Sequence, residues 1–288
     1  MKIAILSDVH GNLPALYAVL EDVEAFQPDI LAIAGDLTGG PYTNEVLELL
    51  SERKAVCTLG NSDLGLLRYL REEGPQEWRT LKQFGMLRWN AQNLTQENFQ
   101  FLASLPEQQV LALPGCDPIC MVHGTPRDPF ESIYPEMDLS ILDQALGMVA
   151  EPGLGCGHTH EPWQMWRNGK LALNPGSVAG PLNGEVGAQY AQMEWREGEW
   201  QVAHKLVQYD LAPLREAFYE TGLLAQGGAI ARGFLLSIET GQNVTLDFLN
   251  FAQQLAEQKG IKDCQMLPDE VWDLADLDYA WGKWDVYR

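Results

Sequence analysis

Seven residues with side chains able to hold a divalent metal ion fall in short clusters beside glycine or a buried run. Asp8 and His10 stand in Ser7-Asp8-Val9-His10-Gly11-Asn12. Asp36 follows Gly35, Asn61 follows Gly60, and His123 precedes Gly124, while His158 and His160 complete Gly157-His158-Thr159-His160. A carboxylate and an imidazole two residues apart offer one hard oxygen and one borderline nitrogen, the donor mixture of a divalent transition-metal site. Taken singly, each residue has a plainer reading. An Asp after a strand commonly caps a helix or shapes a turn, and a lone His commonly bonds a neighbouring carbonyl. The set is harder to explain that way, because four of the five histidines belong to it. The fifth, His204, lies inside a strand at no such position and reads as structural.

The elements that would position these residues are legible in the apolar pattern. Residues 1–7 form a short apolar strand that runs into Asp8. Leu13, Leu16, Tyr17, Leu20, Val23 and Phe26 then recur at helical spacing, with Asn12 as N-cap and Pro14 in the first turn. A second buried strand, 30–34, ends at Gly35-Asp36, and a helix over 44–52 follows. A third strand, 55–59, ends at Gly60-Asn61-Ser62-Asp63, with Asp63 expected to cap a helix beginning near Leu64. This strand–helix alternation predicts a βαβ, mostly parallel sheet, whose carboxyl edge is where open α/β sheets build their sites.

Residues 64–105 read as amphipathic helices, the last opened by Thr95 and ended by Pro106. Strands over 109–113 and 119–122 lead to His123, and a helix covers 139–149. Two hairpins follow, one turning at Asn168-Gly169 and one around Arg196-Glu197-Gly198. The fold class is therefore α/β, with mixed sheets flanked by helices. From Leu211 the chain becomes a largely helical C-terminal extension. Its helices are expected over 211–219 and 246–258, the second with Thr245 as N-cap and Gly260 as terminator. Residues 222–233 are rich in Gly and Ala, and 268–288 are acidic and aromatic. The domains expected are 1–210 and 211–288, the second packed on the first.

Composition narrows the partners. The formal net charge is −21, and no basic face is visible of the kind that phosphate backbones require. Nucleic acid is therefore not an expected partner. No run approaches the roughly eighteen apolar residues of a membrane span, and the chain opens on a strand without a signal peptide, so a cytoplasmic location is expected. The five cysteines are scattered and odd in number, as unpaired thiols in a reducing compartment would be.

The ordered set Asp8-x-His10, Gly35-Asp36, Gly60-Asn61, His123-Gly124 and Gly157-His158-x-His160 resembles the calcineurin-like metallophosphoesterase superfamily. The opening 7–15 is also similar to its small prokaryotic phosphodiesterase branch. The resemblance spans about residues 1–210 and implies a four-layer αββα sandwich. It implies that Asp8, His10 and His160 hold one metal, that Asn61, His123 and His158 hold a second, and that Asp36 bridges them. It also implies catalytic roles for Asp36, Asn61 and His123, with a bridging hydroxide attacking the phosphorus of a small phosphorylated substrate. Such donors suit Mn, the first choice, and also Fe, Zn, Ni or Co. Asn174-Pro175-Gly176-Ser177 resembles the family's turn after the last ligand and is expected to support the site without ligating.

Position 62 departs from the pattern. Many superfamily members carry a histidine directly after the metal-binding asparagine, as a proton donor to the leaving group, and this chain has Ser62. A serine hydroxyl is too weak an acid to replace it near neutral pH. Two readings follow: a hydrolase acting on a stabilised leaving group or through another donor, or a catalytically weak metal-binding interaction module. The tryptophans Trp272, Trp281 and Trp284 are expected to pack the tail onto the domain, with a lid over the metal edge or a homo-oligomer contact as the alternatives.

Overall fold

The computed structural model describes residues 1–261 and 266–284; Cys264 and the tail residues 285–288 lie outside the described residues. The layers follow from the alternation of side chains along β1 (Lys2–Leu6). Ile3 and Ile5 enter the interior between two sheets, whereas Ala4 and Leu6 face a helical layer. A strand buried on both faces has to be apolar throughout, which is why Ile3-Ala4-Ile5-Leu6 shows no polar alternation.

Helix α1 (Leu13–Phe26) is capped as expected, Asn12 Oδ1 accepting from Ala15 N at 3.1 Å. Then come β2 (Ile30–Ile33), α2 (Thr43–Glu52) and the short β3 (Val56–Cys57). The pairs β1–β2 and β2–β3 are parallel. The next helix, α3 (Asn61–Leu70), starts at the ligand candidate Asn61 itself, three residues before the expected start. Asp63 is consequently inside the first turn and does not precede the helix. Its buried carboxylate accepts from Gly60 N, Leu37 N, Thr38 N and Thr38 Oγ1, tying the loop after β2 to the loop after β3. The helices α4 (Glu77–Thr80), α5 (Gly85–Asn93) and α6 (Gln96–Ser104) complete the insert, with Thr95 Oγ1 capping the last.

The second sheet contains β4 (Gln109–Leu111), β5 (Ile119–Met121), β6 (Gly153–Gly155), β7 (Trp163–Arg167) and β8 (Lys170–Asn174), in the order β4-β5-β6-β8-β7. Ile119, Met121, Leu171 and Leu173 face the first sheet, while Cys120, Leu154 and Ala172 pack on α7 (Leu139–Met148). The hairpin β9 (Ala188–Arg196) and β10 (Glu199–Val207) returns to the first sheet, giving β10-β9-β1-β2-β3. Both hairpin turns hold two left-handed residues, Asn168-Gly169 and Glu197-Gly198. The result is the α/β sandwich of mixed sheets flanked by helices.

The C-terminal part adds α8 (Ala212–Glu220), α9 (Leu223–Thr240), α10 (Val244–Gln258) and α11 (Asp269–Asp278). One expectation is corrected here. The N-cap of α10 is Asn243, whose Oδ1 accepts from Leu246 N at 3.1 Å, and Thr245 lies one residue inside the helix. The described tail residues 266–284 pack back onto the chain, as expected of their tryptophans. Trp272 is buried edge-on against Phe248 and Trp281 stacks on the same ring, while Lys82 bonds Asp269 and Asp273. The Gly/Ala-rich stretch is helix α9, kinked at Gly228 (φ 56°, ψ −135°). The part of α9 beyond the kink lies over the site. Among the described residues no helix is long and apolar enough to cross a membrane.

Candidate metal centre

Five strands with parallel partners deliver the candidates from their carboxyl ends: β1 gives Asp8 and His10, β2 gives Asp36, β3 gives Asn61, β5 gives His123, and β6 gives His158 and His160. The backbone at these ends is unusual. Asp8, His10, Asp36, His158 and His160 have φ between 44° and 70°, the left-handed region that non-glycine residues seldom occupy. Such strain persists only where the surroundings hold it in place, and it concentrates at functional sites. Here the loops are tied together. Asp8 N donates to Gly35 O, His10 N to Asp36 O, and Ser177 Oγ and Ala179 N both donate to Asp8 O. Asn174 Nδ2 holds Gly157 O at 2.6 Å, so the turn 174–177 does brace the site. His204 Nε2 donates to Asn174 O, a contact consistent with a structural residue.

Gly60 and Gly157 are required for closeness. A Cβ on Gly60 would lie 2.0 Å from Asp36 Oδ1, and one on Gly157 would lie 1.8 Å from Ser7 Oγ. Neither position has a left-handed φ, so the requirement there is steric alone.

The side chains converge. Asp36 Oδ2 lies 3.4 Å from both His10 Nε2 and His123 Nε2, and Asp8 Oδ1 lies 3.4 Å from His160 Nε2. His10 Nε2 and His160 Nε2 approach to 3.2 Å, and Asn61 Oδ1 meets His123 Nε2 at 2.9 Å. Two groups of donor atoms come within 4.8 Å of one another: Asp8 with His10 and His160, and Asp8 with Asp36 and His123. His158 stands at the rim, its ring 5.2 Å from that of His123, and belongs to neither group.

These donors fit divalent cations. Asp8 Oδ1 is buried without a hydrogen-bond donor, a costly state for a carboxylate oxygen unless a cation satisfies it. The ring nitrogens point the same way. His10, His123 and His160 each turn Nδ1 to a backbone carbonyl (Thr38, Ala34 and Gly180), which leaves Nε2 facing the shared space. Bonding the second nitrogen to a carbonyl is the arrangement that orients metal-binding imidazoles. His158 is reversed: its Nε2 meets Phe130 O at 3.1 Å, which leaves Nδ1 for a ligand.

The charges reinforce this. Burial works to raise both carboxyls, but His160 and His123 hold Asp8, and His123 and His10 hold Asp36, below the ordinary carboxylate range. Burial alone would lower His123, yet Asp36 and Asp8 push it up to about 10. Burial lowers His10 and His158. The proton held on His123 therefore stands where a cation would otherwise neutralise the carboxylates. Filling one such site at a hundredfold excess over Kd adds about 2.7 kcal/mol of stability. At ~2–4 °C per kcal/mol for a chain near this size, Mn²⁺ is expected to raise the unfolding midpoint by about 5–10 °C over EDTA-treated protein. Scanning calorimetry checks this, and equal midpoints would count against a metal centre.

Ser62 N and Oγ donate to the two oxygens of Asp36 at 2.8 and 2.9 Å, fixing the carboxylate. Sequence reasoning missed the opposite wall. Ile230, Phe234, Ser237 and Ile238 recur at helical spacing along α9, and Phe234 meets the His10 ring edge-on at 5.4 Å.

Two face-to-face mixed sheets carry carboxylates and imidazoles at their carboxyl edge. Residues 1–198 match the calcineurin-like phosphoesterase superfamily domain, and the chain belongs to that superfamily. It is similar to an uncharacterized protein of Methanocaldococcus jannaschii, 27% identical over 244 residues, covering 77% of this chain and 93% of the relative. A metallophosphoesterase from Sphaerobacter thermophilus is 29% identical with a TM-score of 0.65, spanning 80% of this chain and 98% of its own. A hypothetical protein from Pyrococcus horikoshii shares the fold at 22% identity and a TM-score of 0.70, with 83% and 98% covered.

Proposed function

We propose that this chain is a phosphodiesterase or phosphatase that hydrolyses a small phosphoester at a dinuclear metal site. Asp8, His10 and His160 would hold one ion, Asn61, His123 and His158 the other, and Asp36 would contact both. The observation that carries this reading is the position of Asp36 Oδ2, 3.4 Å from one histidine of each set. Mn²⁺ is the first choice among Mn, Fe, Zn, Ni and Co, since carboxylate, imidazole and amide donors suit all of them. Bound ions would polarise the phosphoryl oxygens and acidify the attacking water.

The chain's own residues set the geometry and limit the leaving group. Ser62 Oγ is engaged by Asp36 and is no proton donor, so the departing oxygen takes its proton from water or another site group, or leaves as a stable anion. That favours phenolic and similar leaving groups over alkoxides. The net charge of −21 and the lack of any Lys or Arg along the two cavities at the site support a small substrate over nucleic acid. We also propose that 1–210 is the hydrolase domain and that 211–288 is an extension whose α9 and α10 wall the site.

The assay is turnover of bis(p-nitrophenyl) phosphate by purified protein with Mn²⁺, against an Asp36→Asn control. Metal-dependent release of p-nitrophenolate, absent in the control, is expected. Background rates with Mn²⁺, Ni²⁺, Co²⁺ and Zn²⁺ alike would favour the metal-binding interaction module instead.

A further inference from the structure

Beside the metal edge lies a second cavity of about 280 Å³, reached past His10, Ser62, Phe234 and Thr245, which line both spaces. Its walls come from four helices: Gly65 and Leu66 of α3, Met86 and Leu87 of α5, Ile230 and Phe234 of α9, and Thr245 of α10. Its lining includes no Lys, Arg, Asp or Glu. Most polar side chains along it are already committed within the protein. Thr38 Oγ1 bonds Asp63, Ser62 Oγ bonds Asp36, and Asn90 bonds Thr43, Gly39 and Met86. The hydroxyl of Thr245 is buried and has no partner. A ligand group entering this space meets mainly aliphatic and aromatic carbon.

Gly65 keeps the space open. It sits inside helix α3, where glycine costs roughly 1 kcal/mol against alanine. A Cβ built there meets no atom within 4 Å. Any larger side chain would extend into open space next to Leu66 and Phe234.

We propose that this cavity receives one uncharged, ring-sized apolar ester group of the substrate while the phosphate lies at the metal edge. The substrate class is then a phosphodiester, or an aryl phosphate, with one apolar arm and no second phosphate. The inference rests on the hydrolase reading for the position of the phosphate. Its own support is the continuity of the two cavities, the apolar lining whose polar side chains are mostly satisfied within the protein, and the small size, close to the lower bound of ligand sites.

The test is calorimetric titration of the Mn²⁺-loaded full chain with phenylphosphonate and with methylphosphonate, which differ only in the apolar arm. Phenylphosphonate is expected to bind about tenfold more tightly, from the apolar area of the ring removed from water. Gly65→Leu, a favourable helix substitution, is expected to remove most of that difference by occupying the space. Equal affinities in the unaltered chain would overturn the proposal, as would Gly65→Leu weakening both ligands alike. The first comparison needs no variant. Turnover of bis(p-nitrophenyl) phosphate on the same sample separates the two claims. Turnover with equal phosphonate affinities overturns the cavity assignment alone, whereas a phenyl preference without turnover supports the cavity and overturns the hydrolase reading.

Discussion

Asp36→Asn is expected to lower kcat for bis(p-nitrophenyl) phosphate by about a thousandfold or more, which corresponds to ~4 kcal/mol of lost transition-state stabilisation. The amide keeps the shape of the side chain, and its oxygen still accepts from Ser62, so the fold should survive with a circular dichroism spectrum like that of the unaltered chain. What disappears is the negative charge that faces His10 and His123 at 3.4 Å. If Asp36 contacts both ions as proposed, removing its charge weakens both sites at once, so metal content should fall together with rate. Stopped assays and metal analysis on one preparation check this. Asp36→Asn protein with the metal content and kcat of the unaltered chain would show that the carboxylate joins nothing.

Gly60→Ala is the second large effect and acts by a different route. The backbone there is extended (φ −100°, ψ −179°), a conformation alanine adopts without strain. The added methyl, however, would lie 2.0 Å from Asp36 Oδ1 and 2.3 Å from Asp36 N, so the Asp36 loop has to move. A displacement near 1 Å at a reacting site costs on the order of 10²-fold in rate, and overpacking costs about 1–3 kcal/mol of stability. Asn61, the next residue, opens α3 and moves with it. A kcat within twofold of normal for Gly60→Ala would mean that the close approach of the two loops has no bearing on the chemistry.

Much of this was legible in the sequence, for a physical reason. Strands buried on both faces carry no polar alternation, so Ile3-Ala4-Ile5-Leu6 and Ile30–Ile33 stand out as apolar runs, and the polar residues that end them are conspicuous. The two hairpins were equally visible, because turns with two left-handed residues favour Asn and Gly. Asp63 does cap α3, accepting from Gly60 N, but it does so from inside the first turn, a position that offers the same carboxylate in sequence as a preceding cap. Only the spatial approach of Leu37 and Thr38 shows which one it is. The cap of α10 was misassigned, since Asn243 and Thr245 are both good caps two residues apart.

The wall over the site was the real omission. Ile230, Phe234 and Ile238 do recur at helical spacing, but the glycines and alanines around them dilute the amphipathic signal, and Gly228 breaks the helix geometry. Bulky tryptophans drew attention to the tail instead, where they serve to pack α11 on α10 around Phe248. A cluster of large aromatics signals burial somewhere; it does not say against which face.

The central claim is that two ions sit side by side here, joined through Asp36. Anomalous diffraction at the manganese edge, on crystals of Mn²⁺-loaded protein, tests it most directly. The account predicts two peaks about 3.5–4 Å apart, one bound by Asp8, His10 and His160, the other by Asn61, His123 and His158, with Asp36 touching both. A single peak, or two peaks with Asp36 bound to neither or to only one, would contradict it.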